Sequence, residues 1–149
     1  MRILTDEEDQ QLRERVRSEI GFHHEPSEGW EPVEMEDSFI VPWPGNDKSP
    51  RYREAAIDVI GEISDKFYVL IFETDQYVPR FQETFNDKYN GNCLEASPEE
   101  LKEILDDLII VYAVSKDMNW IVLFDHDGGL NFSGEIKEKA KQEFEEIDK

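Results

Sequence analysis

Apolar residues recur at helical spacing in several stretches of the chain, and most of these stretches open with a helix cap. Leu12, Val16 and Ile20 stand four residues apart behind Thr5-x-x-Glu8, a capping box in which each side chain bonds the backbone N–H of the other residue. Similar apolar stripes, two of them behind a Ser-Pro start, predict further helices over 49–64, 75–89, 97–108 and 134–149.

Shorter apolar runs predict the strands, at 38–41, 67–73, 109–115, 119–124 and 130–132. The run at 67–73 is apolar on both faces, as in a central strand with helices on each side. Lys116-Asp117-Met118 is short enough to join its neighbouring strands as a hairpin. Because the last three strands form a meander, we expect a single α+β domain over 1–149, with a mostly antiparallel sheet packed with helices and a C-terminal helix.

The charge balance adds a functional expectation to this outline. The 149 residues include 36 Asp and Glu against 16 Lys and Arg, which is a formal net charge of -20. Such a surface repels phosphate backbones and anionic lipids, so we expect no direct binding to nucleic acid or to a membrane. Solubility needs only a few net charges, and the excess predicts electrostatic capture of a basic protein partner. Solubility alone remains the alternative explanation.

The compartment is predicted from the N-terminus and the cysteine content. The first ten residues contain four consecutive acids and lack the apolar run of a signal peptide. Apolar stretches fall well short of the roughly 18 residues of a membrane span. Cys93 is the only cysteine, which excludes an intrachain disulfide and suits a reducing environment. We therefore expect a cytoplasmic protein.

The three histidines are the residues from which a metal site could be built. His23 and His24 are adjacent, and adjacent residues cannot share one face of a helix or strand, so solvated loop histidines are the simpler interpretation. His126 lies in Asp125-His126-Asp127-Gly128, where the order of calcium ligands is incomplete and a hairpin turn explains the residues better. We expect no metal and no cofactor.

The sequence also lacks the usual catalytic patterns. There is no Gly-x-Ser-x-Gly elbow and no glycine loop ending in Lys-Ser or Lys-Thr, and Cys93 has no histidine near it in the sequence. We therefore expect no catalytic residues, and a protein that is not an enzyme.

Acidic side chains on the predicted helix 97–108 are the first candidate partner-binding residues. Glu99, Glu103 and Asp106 follow three- and four-residue spacing and should share the outer face of this helix. Like charges at this spacing destabilise a helix by roughly 0.2–0.5 kcal/mol per pair, which is understandable if a basic surface docks there. A solvated acidic helix is the alternative.

A second candidate surface lies in the proline-rich segment before residue 50. It combines the aromatic residues Trp30 and Trp43 with the acids Glu36 and Asp37. Aromatic side chains beside acids make good anchors at protein interfaces, although burial of the tryptophans over the core would explain them equally well.

The segment DMNWIVLFDHDGGLNF, from Asp117 to Phe132, resembles the tryptophan-bearing hairpins of small bacterial immunity proteins, which neutralise polymorphic toxins. This resemblance implies a cytosolic protein without catalytic activity that covers its toxin with acidic and aromatic residues. Combined with the charge, it leads us to expect an immunity or inhibitor protein whose partner is a basic toxin, for example a nuclease.

Two other functions remain open at this point. A DNA-mimic inhibitor would place rows of carboxylates in the nucleic-acid site of its target, but Lys137, Lys139 and Lys141 interrupt the acids of the last helix. A metal-dependent enzyme would use His23, His24 or His126, and stoichiometric metal in the purified protein would distinguish it.

Overall fold

The computed structural model describes residues 1–20, 37–42, 49–71, 79–107, 110–125 and 129–147. Its elements follow in the order β1 (Arg2–Ile3), α1 (Asp6–Glu19), β2 (Ser38–Val41), α2 (Ser49–Ile63), β3 (Phe67–Leu70), α3 (Pro79–Tyr89), β4 (Leu94–Ala96), α4 (Pro98–Asp107), β5 (Ile110–Val114), β6 (Trp120–Asp125), β7 (Gly129–Gly134) and α5 (Ile136–Ile147). This is the α+β fold that the sequence predicted, with a helix at the C-terminal end.

The described strands form one antiparallel sheet in the order β1-β4-β3-β5-β6-β7-β2. The predicted strands β3, β5 and β6 lie at its centre, which confirms their placement. Two edge-side strands, β1 and β4, were not predicted: they are only 2 and 3 residues long, too short to show a period in the sequence. They form because β3 offers a pairing edge to β4, and β4 in turn pairs with β1.

Both faces of the sheet are covered, as expected for its apolar central strand. One face packs against α2, α4 and α5, with side chains such as Val69 and Val122 pointing into that core. The alternating neighbours Leu70 and Ile121 point to the opposite face, where α1 buries Leu12 and Val16. The sheet is therefore a middle layer between one helix and a group of helices.

A polar network ties α1 to the sheet. Thr5 and Glu8 form the predicted capping box at its start. One turn later, Asp9 accepts hydrogen bonds from the Arg13 Nε at 2.9 Å and from the Cys93 backbone N–H at 2.7 Å. Burial alone would raise the pKa of the Asp9 carboxyl, but these hydrogen bonds lower it overall. These hydrogen bonds fix the position of α1 on the face of the sheet.

Several predicted boundaries change by a few residues. The strand predicted at 67–73 ends at Leu70, and the helix predicted from residue 75 begins at Pro79, which occupies the first turn as expected. The hairpin between β5 and β6 is confirmed, and Met118 turns it with a φ of 61°. The predicted Asp127-Gly128 turn lies outside the described residues. Among the described helices, none is both long and apolar enough to cross a membrane.

Candidate protein-binding surface

Helix α4 presents the predicted acids to solvent because its other side is held in the core. Its start is a second capping box, in which the Ser97 backbone N–H donates to Glu100 at 3.0 Å and the Glu100 backbone N–H donates to the Ser97 hydroxyl at 3.3 Å. The apolar stripe Leu101, Ile104 and Leu105 is buried. The remaining positions Glu99, Glu103 and Asp106 are therefore all exposed.

The last turn of α4 carries negative side chains, which are unfavourable at the C-terminal end of a helix. Backbone carbonyls at a helix C-terminus disfavour acidic side chains, yet Asp106 and Asp107 occupy this turn and no basic residue does. The compensating cations come from other helices. Nη1 of Arg53 in α2 lies 3.7 Å from Asp106 Oδ1, and Lys88 in α3 forms an ion pair with Asp107.

Asp107 also accepts a hydrogen bond from the buried Tyr89 hydroxyl at 2.8 Å. Burial by itself would raise the pKa of the Asp107 carboxyl, but the bonds from Lys88 and Tyr89 lower it. Burial and the nearby carboxylate both raise the pKa of the Tyr89 hydroxyl. Asp107 is thus part of the helix packing, whereas Asp106, whose side chain is 78% exposed, is available to a partner.

A groove of about 240 Å³ opens between α2 and the C-terminal half of α4. The two helices run antiparallel, since Pro98 approaches Gly61 at one end and Asp106 approaches Arg53 at the other. The groove is lined by Pro50, Arg53, Glu54, Ile57, Lys102 and Asp106. It therefore combines an apolar floor with charges of both signs at its rim.

Most basic side chains of the described chain are already paired with acids of the same molecule. Pairs form within one helix, as between Arg15 and Glu19, and between elements, as between Lys139 in α5 and Glu62 in α2. The cations held in this way are Arg2, Arg13, Arg15, Arg53, Lys88, Lys102, Lys116, Lys137, Lys139 and Lys141. Few basic groups therefore remain to neutralise the other acids.

Many of the described acids without an ion pair lie on the outer faces of helices. They include Glu7 and Glu14 in α1, Asp58 in α2, Glu83 and Asp87 in α3, Glu99 and Glu103 in α4, and Glu145 and Glu146 in α5, all of them exposed. Within the described ranges, exposed helix faces therefore carry much of the unpaired negative charge, and the exposed side of α4 is one of these faces.

The second predicted surface is only partly described. Trp30, Trp43 and Glu36 lie outside the described residues, as do all three histidines. Asp37 is described, and it precedes β2 with its side chain 90% exposed and 2.6 Å from the Lys137 Nζ in α5. This hydrogen bond and the lysine charge lower the pKa of the Asp37 carboxyl. Since α2 lies between α4 and α5, Asp37 and the α4 acids belong to separate regions of the surface.

The sequence alone did not point to Arg53 and Glu54. Both lie on the exposed side of α2, and they become part of the candidate surface because α2 packs against α4. The helical pattern of 49–64 indicates that both residues flank the apolar stripe and are exposed, but it does not indicate which helix they face.

Neither a metal site among the described residues nor a known relative accounts for this surface. Within the described ranges, no group of three or more His, Cys, Asp or Glu side chains is arranged to hold a metal ion. Comparison of the chain with protein-family models, with curated proteins and with solved structures finds no match.

Proposed function

We propose that this chain is a non-catalytic binding protein that neutralises a basic protein toxin, such as a nuclease, by covering its surface. The observation that supports this proposal best is the distribution of ion pairs. Local acids already hold most of the described cations, while exposed acids on α1, α3, α4 and α5 have no ion pair. Self-repulsion of these acids destabilises the free protein, and a basic partner would remove that cost.

A nuclease is a suitable partner for an acidic surface of this kind. A nuclease needs a positively charged site for its phosphate substrate, so its surface is complementary to an acidic one. An acidic protein bound there excludes the substrate without changing it. The resemblance of the 117–132 segment to the hairpins of immunity proteins agrees with the same role.

The test begins by isolating a complex with the tagged protein from the host at about 0.05 M salt and identifying its partner by mass spectrometry. The partner is then purified and mixed with this protein in known ratios, and its toxic or nuclease activity is measured. We expect full protection at a one-to-one ratio, without consumption of any small molecule. Turnover of a small molecule would contradict the proposal, and a DNA-binding regulator as the partner would favour a DNA mimic instead.

A further inference from the structure

The groove between α2 and α4 combines depth with a partly apolar lining. Ile57, which is 3% exposed, and Pro50 line it together with Glu54 and Asp106. Its volume of about 240 Å³ lies below the roughly 300–1,000 Å³ of pockets for drug-sized ligands. A single long side chain fits such a space, whereas a drug-sized ligand does not.

The ion pairs at the rim of the groove are loose. The Arg53–Asp106 distance of 3.7 Å exceeds hydrogen-bond length, and the Lys102–Glu54 distance of 3.5 Å is at its limit. The four side chains are between 36% and 78% exposed, and ion pairs exposed to this degree contribute little to stability. Another cation can therefore replace Arg53 or Lys102 at small cost.

The end of α4 adds an independent preference for a cation. Carbonyl groups in the last turn of α4 carry partial negative charge, and Asp106 adds a full one, while that turn contains no basic residue. Arg53 offsets this charge from a distance without a hydrogen bond. A cation that bonded Asp106 directly would neutralise it more completely.

We propose that this groove receives an arginine side chain of the basic partner, whose guanidinium displaces Arg53 from Asp106. The proposal rests on the proposed function, since it names the side chain through which that partner is anchored. Arginine fits because its apolar stem can lie on Ile57 and Pro50 while its planar guanidinium bonds a carboxylate through two N–H groups. Lysine offers only a point charge with stronger hydration.

The probe is the peptide acetyl-Gly-Gly-Arg-Gly-Gly-amide, compared with the same peptide carrying uncharged citrulline. The peptides are titrated into the intact protein while the Ile57 methyl signal is followed by NMR. We expect a saturable shift with the arginine peptide and none with the citrulline peptide. Asp106→Asn should weaken arginine-peptide binding about two- to fivefold, and Arg53→Gln should strengthen it by a similar factor, as the energies of exposed pairs allow.

Matched variants on α1 separate this groove from a general effect of charge. Glu14→Gln and Arg15→Gln make the same changes in net charge as the two groove variants, and we expect neither to alter peptide binding measured at Ile57. Equal effects at both places, or no shift of the Ile57 signal, would overturn the proposal.

The purified partner separates failure of this proposal from failure of the proposed function. If the partner binds one-to-one but Asp106→Asn weakens it no more than Glu14→Gln does, the groove is not the anchor and the proposed function stands. If no basic partner forms a complex, the proposed function fails, while the peptide titration still shows whether the groove takes arginine.

Discussion

At the scale of single residues, Trp120 is a large aromatic side chain buried on a central strand of the sheet. It begins β6, is 4% exposed, and its ring centre lies 6.0 Å from that of Phe67. Trp120→Ala should lower the free energy of unfolding by roughly 3–5 kcal/mol, because a large cavity replaces the indole. Urea unfolding measures this loss. Ile40→Ala is the control, because this side chain is 56% exposed and its loss should change stability by no more than about 0.5 kcal/mol. An unchanged urea midpoint for Trp120→Ala would contradict the buried position of the indole.

Cys93 provides a prediction about pH. Its thiol is fully buried, and burial raises its pKa from 9.0 to about 12. The folded protein therefore keeps a proton that the unfolded chain releases above pH 9, so this contribution to stability is complete below pH 9 and is lost as the pH rises toward 12. Unfolding free energies at increasing pH should fall less steeply for Cys93→Ala.

In the native protein at neutral pH, a thiol reagent should react with Cys93 only through unfolding.

At the scale of elements, the capping box of α4 decides whether this helix holds its acidic face in place. Ser97→Ala removes the hydroxyl that accepts from the Glu100 backbone N–H and should cost about 1 kcal/mol of stability. Ser97→Thr is the control, since the threonine hydroxyl can still accept from the Glu100 backbone N–H. Thermal unfolding should distinguish the two variants, and equal losses would show that the cap is unimportant.

The exposed acids of α4 should also affect binding as a group. Changing Glu99, Glu103 and Asp106 together to Lys should weaken partner binding at least tenfold, about 1.4 kcal/mol, while the buried stripe keeps the fold intact. The same reversal at Glu143, Glu145 and Glu146 in α5 changes the net charge equally and is the control. If only the α5 variant lost affinity, the interface would lie elsewhere. Circular dichroism of both variants checks that they fold.

Elements with strong local signals were predictable, and those without them were not. The two capping boxes, at Thr5 and Ser97, needed only residues three positions apart. Strand β4 is 3 residues long, and its existence depends on hydrogen bonds to β3, which comes before α3 in the chain. Likewise, β2 was recognised as a strand, but its pairing with β7 at the sheet edge has no local signature.

At the scale of the whole molecule, the net charge of -20 predicts how binding responds to salt. The Debye length falls from about 10 Å at 0.1 M to about 3 Å at 1 M, which shortens the reach of the acidic surface. Association with the basic partner should therefore slow steeply between about 0.05 and 0.5 M salt, while dissociation changes less. Stopped-flow mixing measures both rates. An association rate independent of salt would exclude electrostatic steering.

The acidic residues of the candidate site could be predicted from the sequence, but the contacts around them could not. Periodicity placed Glu99, Glu103 and Asp106 on the outer side of α4, and the structure shows them exposed. It could not show that Arg53 would approach Asp106 or that a groove would open beside them. Those features depend on the packing of two helices separated by two strands and a third helix.

The sequence by itself determined the charge, the caps and the identity of the longer elements, because these follow from composition or from neighbours within one helical turn. The tertiary structure decided the order of strands, the division of apolar residues between two faces, and which acids are neutralised. The physical reason is the same in each case. An ion pair such as Lys139–Glu62 and a pairing such as β2 with β7 join residues far apart in sequence, and their energy exists only once the chain has brought them together.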